Sequence, residues 1–277
     1  NHELQKTDNL ILPVLALRGL VIFPGMLLQF DVGRKKSILA LSKAMEDNQE
    51  IFLVAQKDLS DNEPNTEQIY SMGIVAKVKQ VIRRTDDGVR LFAEGMYRAE
   101  IVSQISEDPF ILADVRAVEM KTFRVSHKTE ALIRYTQTLF EEYIQNYSRI
   151  PPDIIIGVVQ KKDCGELADF IASNIMLDYE QKQAILEELH PVKRLEKLLE
   201  ILKNEIQVLS IESQISEKAK EQIDENQREY FLREQMKAIS YELGDDDNPQ
   251  DEADELRERI AKMKLPELQN DKLIKEC

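Results

Sequence analysis

Apolar positions in this chain recur at first every second residue and then, beyond residue 123, every third or fourth. That change of period predicts a β-rich segment followed by a helical one. Residues 10–17 form an apolar run broken by Pro13, which suits an edge strand or the start of one, because proline cannot donate to the ladder. A second run covers 27–32. Between 34 and 48, Ile38, Leu41, Ala44 and Met45 recur at helical spacing, so one helix interrupts the sheet before 51–55 returns to strand. The polar stretch 58–67, with Pro64, reads as a loop. Runs at 73–84 and 89–94 flank Asp86-Asp87-Gly88, and an Asp-Gly pair between β-rich runs favours a type I′ hairpin, whose central residues take positive φ. Strands at 97–105 and 110–120 follow. Five to seven strands with one helix are expected to form a small, mostly antiparallel barrel or sandwich-like domain over residues 1–123.

In the helical segment, Leu132, Tyr135, Leu139, Tyr143 and Tyr147 line one face of a helix that stops before Pro151-Pro152, since the residue before a proline disfavours the α conformation. Asp163 with Glu166, and Asp178 with Gln181, then read as two capping boxes that open helices over 164–176 and 179–189. These make a helical bundle over 124–191. Residues 192–243 run without glycine or proline, and as one helix they would span about 75 Å at 1.5 Å per residue. Leu195, Leu198, Leu199, Leu202, Ile206 and Leu209 give its first third a packing face. From Ile211 through Ile215 and Ala219 to Ile223 the stripe thins to one residue per turn, as in a solvated helix or half of a loose coiled coil. Gly244 suits the position just past the helix, where positive φ is needed. The helix thus occupies 192–244, and an acidic linker over 245–277 carries a short helix near 252–264 that Pro266 breaks. The fold class is α+β: a mostly antiparallel β domain, an α-helical bundle and a very long helix.

Charge sharpens that division. The net charge of −14 is uneven, with 16 Lys/Arg against 18 Asp/Glu in residues 1–125 and 21 against 33 in residues 126–277. The acidic half repels phosphate backbones and anionic lipid, so nucleic acid is not the favoured partner. Two cysteines, Cys164 and Cys277, are too few for a disulfide framework and suit a reducing, cytoplasmic compartment. No apolar stretch of membrane-spanning length occurs. The chain stops in mid-pattern at Leu273-Ile274-Lys275-Glu276-Cys277, which is expected of a truncated sequence.

Motifs for catalysis are missing from the sequence. None of the nine glycines opens a Gly-x-x-x-x-Gly-Lys phosphate loop, and there is no Gly-x-Ser-x-Gly elbow, His-Glu-x-x-His or cysteine pair at metal spacing. His2, His127 and His190 stand alone. Lys77, Lys79 and Arg83 share a strand face with Arg90 on the partner strand, a ribbon that could meet nucleic acid but more simply forms a solvated face beside Asp86, Asp87 and Glu94. Two apolar segments remain. Leu20, Val21, Phe23, Pro24 and Met26 lie in a run pinned between Gly19 and Pro24-Gly25, and either cross the β core or, where the turn forces them out, form a protein-binding patch. Tyr230, Phe231 and Met236 pose the same choice on a helix too polar to own a core.

Those two segments also carry a family resemblance. Leu12-Pro13-Val14-Leu15-Ala16-Leu17-Arg18-Gly19, followed by Val21-Ile22-Phe23-Pro24-Gly25-Met26 and Val32-Gly33-Arg34, resembles the opening motif of bacterial ATP-dependent Lon proteases. Gln227-Arg228-Glu229-Tyr230-Phe231-Leu232-Arg233-Glu234-Gln235-Met236-Lys237-Ala238-Ile239, with Glu242-Leu243-Gly244, is similar to that family's signature ahead of its ATPase module. Arg194-Leu195-Glu196-Lys197-Leu198-Leu199 adds a weaker match, and Gln29-Phe30-Asp31 departs from the Pro-Leu step of many relatives. The resemblance implies that residues 1–123 are the PUA-like β domain of Lon, and that residues 245–277 lead into a truncated ATPase module. It places the Walker motifs and the Ser/Lys proteolytic dyad beyond Cys277, so this chain is expected to be non-catalytic and to bind no cofactor, with ATP and Mg held by the missing module. The implied function is to recognise unfolded or damaged protein substrates, support a homohexamer and deliver substrate to the ATPase and protease ring. A nucleic-acid-binding PUA-like module is the alternative, and no membrane partner is expected.

Overall fold

The computed structural model describes residues 9–83, 88–122, 124–146 and 151–243, together with 256, 258 and 259. Six strands, six α-helices and a single 3-10 turn follow one another along the described chain: β1 (Leu10–Leu17), β2 (Leu27–Val32), α1 (Lys35–Glu46), β3 (Glu50–Ala55), the 3-10 turn (Thr66–Gln68), β4 (Met72–Arg83), β5 (Val89–Ser106), β6 (Leu112–Ala117), α2 (His127–Asn146), α3 (Pro152–Gln160), α4 (Cys164–Asn174), α5 (Tyr179–Glu187) and α6 (Pro191–Leu243). The mostly antiparallel β domain, the helices after it and the very long helix are those expected from the change of period.

The sheet order is β2-β5-β4-β3-β1-β6, and β5 also pairs with β6. That extra pairing closes β5, β4, β3, β1 and β6 into a barrel, with β2 added along the first half of β5. Only β1 and β3 run parallel. Closure depends on the length of β5, which the alternation had suggested was two strands, 89–94 and 97–105. The two are one bent strand because Tyr97 pairs with Val75 and Gly95 with Ala76, so Met96 is an extra residue that bulges out of the ladder. A bulge bends its strand and increases the local twist, which lets one strand serve two partners in turn. The Asp86-Asp87 turn lies outside the described residues, as do Tyr147, Gly244, His2 and Cys277.

Alternation along the strands feeds two apolar clusters. On β3, Phe52 and Val54 face one cluster with Leu12, Val14, Val75 and Val115, while Ile51, Leu53 and Ala55 face the other. Both faces are covered, which is why β3 reads as an unbroken apolar run. The second cluster continues without a break into the helices, through Phe140 and Tyr143 of α2, Leu167 and Ile171 of α4, and Leu195, Leu198, Leu202 and Ile206 of α6. In α2 the packing face is Thr136, Leu139, Phe140 and Tyr143, and Tyr135 is exposed with Lys203 Nζ 5.2 Å from its ring centre. Helix α3 had not been expected. Its apolar sequence follows Pro151-Pro152, and a proline fits the first helical turn as well as it ends the helix before.

Packing divides the chain into a unit of residues 1–210 and a second unit of residues 211–277. Within α6 the change is sharp. Leu195 to Ile206 supply buried leucines and isoleucine, whereas every described residue from 211 to 242 is exposed.

Candidate functional site

A cleft of about 720 Å³ in the first unit opens between the turn before β2 and helix α4. Its barrel wall begins at Phe23, which is fully buried and anchors the segment in the core. Gly25 takes φ +76°, and its N–H donates to Gly95 O at 2.7 Å, while Gly95 N–H returns a bond to Met26 O at 2.9 Å. A side chain at 95 would bring Cβ within 2.5 Å of Phe23 O, so only glycine lets β5 approach this turn. The chain then brings Pro24, Met26 and Leu27 to the cleft, Pro24 and Met26 half-buried and Leu27 73% accessible. The bulge aims Met96 at the same space, and Tyr97, Val118 and Met120 continue the wall.

Helix α4 makes the opposite wall. Glu166, Asp169, Phe170, Ser173 and Asn174 all line the cleft, a spacing that places them on one helical face. The other face, Leu167, Ala168, Ile171 and Ala172, is buried in the bundle. Asp163 caps the helix, its carboxylate accepting from the N–H groups of Gly165 and Glu166 at 2.8 and 3.0 Å. Cys164 beside it is buried, and burial with the neighbouring Asp163 charge pushes its thiol up to about 11. Lys161 pairs with Glu166 at 3.1 Å and lies 5.9 Å from the ring centre of Phe170.

Beneath the cleft, one carboxylate ties barrel to helices. Arg98 of β5 donates from Nη1 and Nη2 to the two oxygens of Asp169 at 2.8 and 2.7 Å, and from Nε to Leu186 O at 2.9 Å. Arg194, in the first turns of α6, donates from Nη1 to Asp169 Oδ2 at 3.0 Å and from Nε to Glu188 O at 2.7 Å. Its Nη2 faces Met120 Sδ at 3.2 Å. Arg194 is fully buried, and burial lowers its pKa from the usual arginine value. Gln183 and Tyr179 of α5 add bonds to the backbone oxygens of Met72 and Lys57. Two guanidiniums on one carboxylate hold the cleft walls at a fixed separation, because breaking a buried ion pair leaves an uncompensated charge.

The candidate contact residues of the first apolar segment therefore separate. Val21 and Phe23 belong to the core, at 3% and 0% exposure, so for these two the core-crossing reading holds and their place among the candidate contacts is corrected. Leu20 is half-buried against the same core. Pro24 and Met26 reach the cleft, joined by Leu27, Met96, Tyr97, Met120 and Phe170, which the sequence reading missed. In the second unit, Tyr230, Phe231 and Met236 are exposed on α6, and Tyr230 and Phe231 share a shallow groove with Ile223, Asn226 and Gln227. Met236 lies outside that groove.

The basic strand face is largely neutralised. Lys79 pairs with Glu94 at 2.6 Å, Arg90 with Asp31 at 2.7 Å, and Lys77 donates to Asn48 O. Among the described residues no group of three His, Cys, Asp or Glu is arranged to hold a metal ion. Among those residues no helix is long and apolar enough to cross a membrane.

Comparison with known proteins gives a consistent result. Residues 11–204 match the model of the ATP-dependent protease La (LON) substrate-binding domain. The Lon protease of Heliobacterium modesticaldum is 40% identical over 265 residues, covering 96% of this chain and 32% of that protein. The Lon protease of Brevibacillus choshinensis is 42% identical over 265 residues, covering 96% of this chain and 34% of its own length. The chain thus spans about a third of the curated relatives it matches. The solved N-terminal domain of Mycobacterium avium complex Lon protease superposes with a TM-score of 0.57 at 22% identity, over 72% of this chain and 98% of that one, a likeness of fold.

Proposed function

We propose that this chain, which belongs to the Lon protease family, captures unfolded or damaged polypeptides in the cleft between the Phe23–Leu27 turn and α4. The observation that carries this reading is the composition of the cleft. Leucine, three methionines, tyrosine and phenylalanine line one open, preformed space beside a rim of charged and amide groups. Flexible thioethers adapt to irregular apolar partners, as a site for many different unfolded sequences requires. The parent protein would assemble as a homohexamer in the cytoplasm, with α6 as the strut toward an ATPase and protease ring. ATP and Mg are assigned to that ring, outside this chain, and so is peptide-bond hydrolysis.

Fluorescence titration of reduced, carboxymethylated α-lactalbumin tests the capture step. Leu27→Glu and Met96→Glu are expected to weaken binding by about tenfold each, since burying a charge against apolar walls costs at least ~1.4 kcal/mol. Tyr230→Ser and Phe231→Ser should leave it unchanged. Equal binding by wild type and both cleft variants would refute the reading.

A further inference from the structure

Three of the eight methionines, Met26, Met96 and Met120, line the one cleft, and Met120 differs from the other two. It is 44% accessible on the cleft side, yet its sulfur accepts from Nη2 of a fully buried arginine at 3.2 Å. Arg194 spends Nε and Nη1 on oxygen acceptors, and Nη2 has the thioether, a weak acceptor. The site therefore holds a strong cationic donor facing the sulfur of a side chain that is partly open to the cleft.

Resting on the capture reading above, we propose that Met120 is a reversible oxidation site, and that its sulfoxide, held by Arg194, closes the cleft to apolar segments. The oxidant is a hydroperoxide. A sulfur lone pair attacks the distal peroxide oxygen, the O–O bond breaks as the S–O bond forms, and the remaining oxygen leaves as water or alcohol after taking up the proton. Sulfur is oxidised by two electrons and the peroxide reduced by two. The new S=O is a far better acceptor than the thioether, and rotation about the terminal side-chain bonds brings it to Nη2, where a charge-assisted bond replaces the N–H···S contact. An apolar, adaptable wall becomes polar and fixed, which is the change methionine oxidation makes at methionine-rich interfaces. A methionine sulfoxide reductase restores the thioether. Because Arg194 also holds Asp169, the modified side chain joins the clamp that sets the cleft walls.

The test compares the wild-type chain with Met120→Leu and with a Met26→Leu/Met96→Leu double variant, before and after hydrogen peroxide, with mass spectrometry assigning each sulfoxide. Binding of reduced, carboxymethylated α-lactalbumin is expected to fall about tenfold on oxidation of the wild type and the double variant. Reductase treatment should restore it, and Met120→Leu should keep most of its affinity after peroxide. Unchanged binding despite a confirmed Met120 sulfoxide would overturn the proposal, as would a Met120→Leu chain that remains fully sensitive. A second readout does not depend on capture: oxidation should raise the melting temperature of the wild type relative to its effect on Met120→Leu, and a null or negative difference rejects the Arg194 bond. Failure of the reduced wild type to bind the probe refutes the capture function, while the melting comparison still decides the modification site.

Discussion

Two apolar segments of this chain look alike in sequence and differ in what lies beneath them. The turn at 23–27 has a buried phenylalanine below it, a glycine on β5 that admits it and a bulge that turns Met96 toward it. The run at 230–236 has Tyr230, Phe231 and Met236 on a helix whose described residues beyond 211 are all exposed. An exposed apolar side chain gains meaning from its support: one set is held in place by a core, and the other has no core beneath it. Replacing each phenylalanine by alanine should separate them most widely. Phe23→Ala is expected to cost about 3–5 kcal/mol in urea unfolding, by loss of burial and creation of a cavity. Phe231→Ala should stay within about 0.5 kcal/mol in the same chain. A Phe231 effect as large as that of Phe23 would break the contrast.

The same contrast holds for charge. Asp169 meets two guanidiniums in the buried seam, whereas Glu229 meets Arg233 at 3.0 Å across one exposed helical turn. Asp169→Asn keeps a carbonyl acceptor but loses the charge and points an amide donor toward arginine donors. A loss of about 2–3 kcal/mol is expected, typical of hydrogen bonds to charged groups. Glu229→Ala should cost no more than about 0.5 kcal/mol, and that effect should shrink in high salt. Denaturant melts at two salt concentrations check both. An Asp169→Asn chain as stable as wild type would mean the seam is held by its apolar contacts alone.

How much of this could be read from residues follows from the range of each interaction. Local signals were sufficient for the Asp163 N-cap, though Glu166 pairs with Lys161 instead of completing the expected capping box, for the Asp178–Gln181 capping box and for the long helix, because each is settled within a few residues. The barrel strands were visible through alternation, but the continuity of β5 was not, since the bulge at Met96 exists only against β4. The cleft was half legible. Pro24-Gly25 announced a turn, yet whether Val21 or Met26 faced outward depends on partners about seventy residues away. The missed wall did leave a trace: Asp169 sits inside Leu167-Ala168-Asp169-Phe170-Ile171-Ala172, and an acid enclosed by apolar residues on a helix implies a buried cation. Which arginines answer it requires the fold.

The smallest effect compares thiols in the two regions. Burial raises the Cys164 pKa from 9.0 to about 11, so between those values the unfolded chain ionises its thiol while the folded chain does not. Protons are then bound more by the native state, and stability must fall as pH rises. The contribution is fully present below pH 9, declines through that window, and by pH 10 the loss is on the order of 1 kcal/mol. Lys182 moves in the opposite direction, since burial lowers its pKa from 10.5. The quantity to measure is therefore the difference between wild type and Cys164→Ala, from unfolding at pH 8 and pH 10. Wild type should lose more than the variant. A thiol introduced on α6 by Ser216→Cys should react with a disulfide reagent at the rate of a free peptide, while Cys164 reacts only through opening of the bundle. Fast labelling of Cys164 at pH 8 would show that the packed region opens as readily as the helix beyond it, and the support beneath the cleft would be lost as an explanation.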